Sequence, residues 1–136
     1  MIPPLLDTNI LIYALTDDRR AAQAHLLLSK PFIISVQALN EFANVARRKL
    51  GMNWAEIQAA TDDICTLATA IVPLDRECNA RALDLAARYN FSVFDALMIA
   101  AALQAGSGQC LSEDMQHGLQ VDGRLTILNP FLDVLE

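Results

Sequence analysis

The sequence has no pair of cysteines at disulfide or metal-binding spacing. Cys65, Cys78 and Cys110 are odd in number, lie far apart and form no C-x-x-C, which argues against a disulfide framework or a zinc knuckle and for the reduced thiols of the cytoplasm. It also lacks any apolar run approaching the ~18 residues of a membrane span, and Met1-Ile2-Pro3-Pro4 carries no basic stretch before an apolar one. A soluble cytoplasmic protein without a membrane partner is therefore expected. Neither a G-x-G-x-x-G nor a P-loop occurs, which disfavours dinucleotide and nucleoside-triphosphate binding. Charged residues are scarce at 19% and form no block, so neither a disordered chain nor a charged tail is indicated. The formal charge of −6 argues against broad adhesion to nucleic acid, which needs cations to neutralise phosphates. Any nucleic acid must be held locally, for instance where clustered carboxylates gather metal ions that reverse the local field.

What is present is apolar. With 54% hydrophobic residues over 136 positions, the chain has material for one compact domain, residues 1–136, and no room for a second. Short apolar runs alternate with longer helical patterns, the signature of βα repetition around a mainly parallel sheet. The runs are 2–6, 32–34, 71–74, 109–111 and 125–128, and they predict four or five strands covered on both faces. Helices are expected over 9–15, 19–28, 36–50, 54–69, 76–89 and 93–105. Ser35, Asn53, Asp75 and Ser92 suit helix starts, while Gly51, Asn90 and Gly106 suit the left-handed turn beyond helix ends. Asp122-Gly123 signals a turn into the last strand, which Asn129-Pro130 ends.

In an open parallel sheet, ligands bind beyond the carboxyl ends of the strands. Three acids stand at the ends of apolar segments. Asp7 closes the first run and, with Thr8 and Asn9, offers three oxygen-bearing side chains suited to a hard cation; helix capping accounts for it equally well. Asp95 opens the most apolar helix of the chain, where a charge needs a partner, yet Ser92-Val93-Phe94-Asp95 also has capping-box spacing. Asp114, in Leu111-Ser112-Glu113-Asp114, either joins such a site or closes a surface turn. Glu41 is the least distinctive, because helical spacing puts Leu39, Phe42, Ala43, Ala46 and Leu50 on the core stripe and Glu41 opposite, with Gln37, Asn44 and Arg48. Asp75 is accounted for by capping. His25 and His117 have no second ligand at metal spacing and read as ordinary polar residues. Tyr13 and Phe94 read as core aromatics rather than base-stacking groups.

The segments Leu-Leu-Asp-Thr-Asn-Ile-Leu-Ile-Tyr at 5–13, Asn-Glu-Phe at 40–42, Phe-Asp-Ala-Leu-Met-Ile-Ala-Ala-Ala-Leu at 94–103 and Leu-Ser-Glu-Asp at 111–114 resemble, in their order and spacing, the PIN domain. The closing Val-Asp-Gly-Arg-Leu-Thr-Ile-Leu-Asn-Pro-Phe at 121–131 is similar to the ending of VapC-type toxins. The resemblance implies a three-layer α/β/α sandwich and a metal-dependent ribonuclease of the toxin–antitoxin kind. In that family three acids and a fourth, more variable one hold magnesium or manganese (Mg2+ or Mn2+) for RNA hydrolysis. Here they correspond to Asp7, Glu41, Asp95 and Asp114, with Glu113 a competitor for the fourth place. Thr8, Asn9 and Ser112 match positions that support the acids or the attacking water. Arg47 and Arg48, followed by Lys49, stand on the same helix as Glu41 and could bring phosphate toward the metals, although a helix-end charge cluster explains them too. A cognate antitoxin and a homodimer are the implied partners.

Two rival readings stay open at this point. A PIN-like interaction protein whose acids have become caps would cleave nothing. An α/β phosphatase with a nucleophilic Asp after the first strand resembles D-x-D, whereas this chain has Asp7-Thr8-Asn9.

Overall fold

The computed structural model describes residues 1–134. In chain order its elements are β1 (Leu5–Leu6), α1 (Thr8–Tyr13), α2 (Ala21–Leu28), β2 (Ile33–Ser35), α3 (Val36–Lys49), α4 (Trp54–Leu67), β3 (Ala70–Val72), α5 (Arg76–Tyr89), α6 (Val93–Gln104), β4 (Gln109–Leu111), β5 (Gln120–Val121) and β6 (Leu125–Leu128). The strands form one sheet in the order β3-β2-β1-β4-β6-β5. All neighbours run parallel except β5 and β6.

Local sequence sets the boundaries. The side chains of Ser35, Asn53, Asp75 and Ser92 each accept a hydrogen bond from a backbone amide at the start of their helix, and Asn53 and Glu56 cap reciprocally. Gly51, Asn90 and Gly106 have φ of 65°, 59° and 79°, the left-handed conformation that ends a helix. β1 is shorter than the run 2–6 because Pro3 and Pro4 have no amide to give a ladder; the Pro4 carbonyl still accepts from the Ile33 amide at 2.9 Å. Pro73 likewise stops β3 before Leu74. β3 is an edge strand with Ala70 and Ile71 exposed, not covered on both faces.

Among the described residues the sheet has six strands rather than four or five. The extra one, β5, is two residues long and begins with Gln120, so no apolar run announces it. It pairs with β6 through a turn in which Asp122 and Gly123 have φ of 53° and 64° and the Arg124 amide donates to the Val121 carbonyl at 3.0 Å, the I′ pattern favoured in hairpins.

Topology positions the site. The chain steps outward from β1 to β2 to β3, then returns to lay β4 on the other side of β1. Since parallel crossovers are right-handed, this reversal puts α1–α4 on one face and α5–α6 on the other. The packing agrees: α1 lies against α2 and α3, α3 against α4, and α5 against α6. α6 is buried at every residue from Ala96 to Leu103, as its apolar circumference requires. β1 and β4 are neighbours whose connections leave in opposite directions, which opens a crevice at their carboxyl ends. Ladder bonds continue past both strands, from the Asp7 amide to the Leu111 carbonyl at 3.0 Å and from the Ser112 amide to the Leu128 carbonyl at 2.9 Å. Asp7 and Ser112 are thereby fixed side by side at the head of that crevice.

Candidate acidic active site

Asp7 is 7% exposed. Its Oδ2 accepts from the Ser112 hydroxyl at 2.7 Å and its Oδ1 from the Thr8 amide at 2.6 Å. Burial raises its carboxyl to about 6; those two bonds pull it down, and repulsion from Asp114 and Asp95 adds to the rise.

The Thr8 hydroxyl donates to Glu41 Oε2 at 2.7 Å. Glu41 is half-buried, not free on an outer face, because α1 packs beside α3 and covers that side of the helix. The fully buried stripe of α3 is Ala38, Phe42 and Ala46, with Leu39, Ala43 and Leu50 only partly covered. The Asn9 side-chain amide donates to Asp114 Oδ2 at 2.5 Å, and the Asp114 amide donates to Ser112 Oγ at 3.2 Å. Asp95 stands in the first turn of α6, where its amide donates to Ser92 Oγ at 3.1 Å. Burial raises the Asp95 carboxyl, opposed by a hydrogen bond from Ser92 and helped by the charge of Asp114.

Asp7, Thr8, Asn9, Glu41, Asn44, Val45, Asp95 and Asp114 line one cleft of about 310 Å³. Four carboxylates from four separate segments thus converge, with Ser112 supporting Asp7. The donors are hard oxygens, the set that suits magnesium or manganese, and the mutual repulsion is what a cation would relieve. As placed, no three acidic, histidine or cysteine groups among the described residues close on a single ion. Asn44 was not singled out from the sequence as a site residue; its i+3 spacing from Glu41 was the available signal.

Glu113 does not line this cleft. Its Oε1 accepts from Tyr13 Oη at 2.7 Å and from Arg20 Nη1 at 2.6 Å. Burial pushes its carboxyl up, but the bonds from Arg20 and Tyr13 outweigh that and hold it below its ordinary value.

Arg48 and Lys49 line, with Asn44 and Val45, a second cavity of about 360 Å³ next to the first. Arg47 turns away from both. Its Nη1 donates to the Met52 carbonyl at 3.2 Å and its guanidinium lies 5.1 Å from the centre of the Trp54 ring. Of the two arginines expected to approach substrate, Arg48 lines a cavity next to the acids and Arg47 lines neither cavity. Phe94 is 55% exposed and is no core residue, whereas Tyr13 packs edge-on against buried Phe131 at 5.4 Å. His117 accepts from the Asn129 amide at 2.9 Å and His25 meets the Ala14 carbonyl at 2.6 Å, ordinary polar roles.

The family model for the PIN domain matches residues 5–116. The chain belongs to the PIN-domain family. Several solved structures share the fold. A toxin–antitoxin complex from Klebsiella pneumoniae superposes with a TM-score of 0.71 at 20% identity, covering 93% of this chain and 97% of that one. VapC20 of Mycobacterium tuberculosis, a Sarcin-Ricin loop cleaving toxin, gives 0.67 at 21% identity over 81% and 90%. VapBC2 of Rickettsia felis, bound to a DNA fragment from its promoter, gives 0.64 at 19% identity over 92% and 96%. A sequence search of curated proteins returned no match. Among the described residues of this PIN protein, no helix is long and apolar enough to cross a membrane.

Proposed function

We propose that this PIN domain, residues 1–136, is an endoribonuclease dependent on Mg2+ or Mn2+ and the toxin of a toxin–antitoxin pair. The observation that carries the reading is the convergence of Asp7, Glu41, Asp95 and Asp114 on one cleft at the switch point of the sheet. These four would hold the metal. When bound, it supplies Lewis acidity, activating water and stabilising charge at the phosphodiester. The protein's part is positional: Ser112 and the Thr8 amide fix Asp7, the Thr8 hydroxyl aims Glu41, and Asn9 aims Asp114. The Thr8 hydroxyl is committed to Glu41, and among the described residues no serine, cysteine or histidine lines the cleft, which supports hydrolysis without a covalent enzyme intermediate.

The partners proposed are RNA, a small antitoxin and a second copy of the chain. An apolar groove of about 410 Å³, lined by Leu11, Leu15, Leu28, Ala60, Ile64 and Leu67 among others, supports a protein partner, since Leu15 and Leu67 are left 48% and 57% exposed there. Asn9, where a D-x-D phosphatase needs an acid, is engaged with Asp114 and supports no phosphatase.

The test is to strip the protein of metal and follow cleavage of labelled structured RNAs with and without manganese, beside an Asp95→Asn variant of unchanged melting curve. Cleavage that needs manganese and is lost in the variant is expected. A folded wild type that cuts nothing and melts at the same temperature with or without manganese leaves the interaction-protein reading in its place.

A further inference from the structure

α3 carries one ligand of the proposed metal site, Glu41, and continues past it along the same face. Glu41, Asn44, Val45 and Arg48 follow one another at i, i+3, i+4 and i+7, so they share a face, and Lys49 lies one turn beyond Val45. The acidic cleft and the basic cavity meet along this face, sharing Asn44 and Val45 as walls. The result is a channel of two adjoining cavities, acidic at one end and basic at the other.

Several cations of this molecule, Arg19, Lys30, Arg81 and Arg124 among them, have no carboxylate within salt-bridge distance among the described residues, so what sets Arg48 and Lys49 apart is their place beside the acidic cleft. Arg20 and Arg88 are tied to carboxylates, Arg47 lies over Trp54, and Arg76 donates to Asn79 at 3.1 Å. Arg48 and Lys49 are exposed, and among the described residues neither has a carboxylate within salt-bridge distance. On a protein of net charge −6, two unpaired cations facing a channel that leads to the acids form a local attraction for a polyanion. A helix-end role explains charge in the last turn of α3, which holds Arg47, Arg48 and Lys49 alike, but it gives no reason for Arg48 and Lys49 to line the channel.

We infer that Asn44, Arg48 and Lys49 form a phosphate-binding subsite, and that a strand of the RNA runs along α3 from the acids toward the C-terminal end of the helix. The inference rests on the nuclease reading and adds to it the path of the substrate. Seven residues of helix separate Glu41 from Arg48 by about 10 Å, or about three phosphates of a stacked strand. The contacts go to phosphate and not to base edges, so they position the strand without reading its sequence. Asn44, between the two ends, offers the strand a neutral donor.

The test measures binding apart from cleavage. In the Asp95→Asn background, the affinity for a fluorescent single-stranded RNA of mixed sequence is followed by anisotropy across a potassium chloride series, at constant low manganese. Removing two phosphate contacts lowers the slope of log affinity against log salt by about 1.4, at about 0.7 per contact, so the Arg48→Ala, Lys49→Ala double variant is expected to show that loss. Arg47→Ala is expected to keep the parent's slope. A double variant with the parent's slope overturns the subsite, and a lower melting temperature in that case assigns the two cations to the helix end. If the parent, and the wild type beside it, bind and cut no RNA under any condition, the nuclease reading falls and the subsite with it. RNA binding with an unchanged slope removes the subsite alone.

Discussion

The Thr8 hydroxyl meets Glu41 Oε2 at 2.7 Å, joining the first turn of α1 to α3 across 33 positions of sequence. A hydrogen bond to a charged group contributes roughly 1.5–3 kcal/mol, and this one also fixes the direction of a proposed metal ligand. Thr8→Val keeps the side-chain shape and deletes the donor. The expected outcome is a loss of kcat/KM on the order of tenfold with manganese, recovered by Thr8→Ser, which restores the hydroxyl. Equal activity in the two variants would remove any orienting role for Thr8.

Asp7 makes the metal-free protein sensitive to pH. Its folded carboxyl sits at about 6 against an ordinary value of 3.8, chiefly through burial, so between those values the folded state binds the more protons. Stability then falls as pH rises through the window, and above it the buried charge costs about 3 kcal/mol. Asp7→Asn is expected to be more stable than wild type at pH 7.5 in metal-free buffer, by about 1–3 kcal/mol, with the advantage gone below pH 4. Manganese is expected to raise the wild-type melting temperature and not the variant's. Urea titrations at the two pH values check the sign, and a metal-free Asp7→Asn less stable at pH 7.5 contradicts it.

Much of this arrangement was legible from residue order. The strand-to-acid junctions at Asp7 and Asp114 follow from apolar runs that stop at a carboxylate, and α6 from an apolar stretch too long for a strand. Glu41 was not legible by periodicity, because the helix that covers its face, α1, comes from a distant part of the sequence. β5 was invisible for a different reason: two residues, one of them Gln120, carry no period. Arg47 and Arg48 are adjacent in sequence yet 100° apart around α3, and only the packing of Trp54 decides which of them faces the channel. Phe94 shows the same limit, since it stands in the first turn of α6, ahead of the buried stretch that begins at Ala96.

The three cysteines differ in access. Cys78 and Cys110 are 1% and 0% exposed, and Cys65 is partly exposed. Burial pushes the Cys78 and Cys110 thiols up, which suppresses the reactive thiolate. A colorimetric disulfide reagent is expected to titrate one thiol rapidly in the folded protein and three in urea. Prompt reaction of all three in buffer contradicts the burial of α5 and β4.

Glu113 and Asp114 are neighbours with opposite tasks, and their variants separate them. Tyr13 and Arg20 both donate to Glu113 Oε1, and the Arg20 guanidinium also lies 4.1 Å from the centre of the Tyr13 ring. The segment after β4 is thereby tied to α1 and to the loop before α2, while Asp114 is left facing the cleft. Because the folded Glu113 carboxyl lies below its ordinary 4.5, its contribution is present above that value and is lost as pH falls through the folded one. Glu113→Gln is expected to lower stability at pH 7 by about 1–2 kcal/mol, to shrink that deficit in acid, and to keep the rise in melting temperature produced by manganese. Asp114→Asn is expected to do the reverse, with little change in metal-free stability and a weakened manganese response. Melting curves of both variants with and without manganese decide the matter: if Glu113→Gln alone abolishes the response, Glu113 and not Asp114 is the fourth acid.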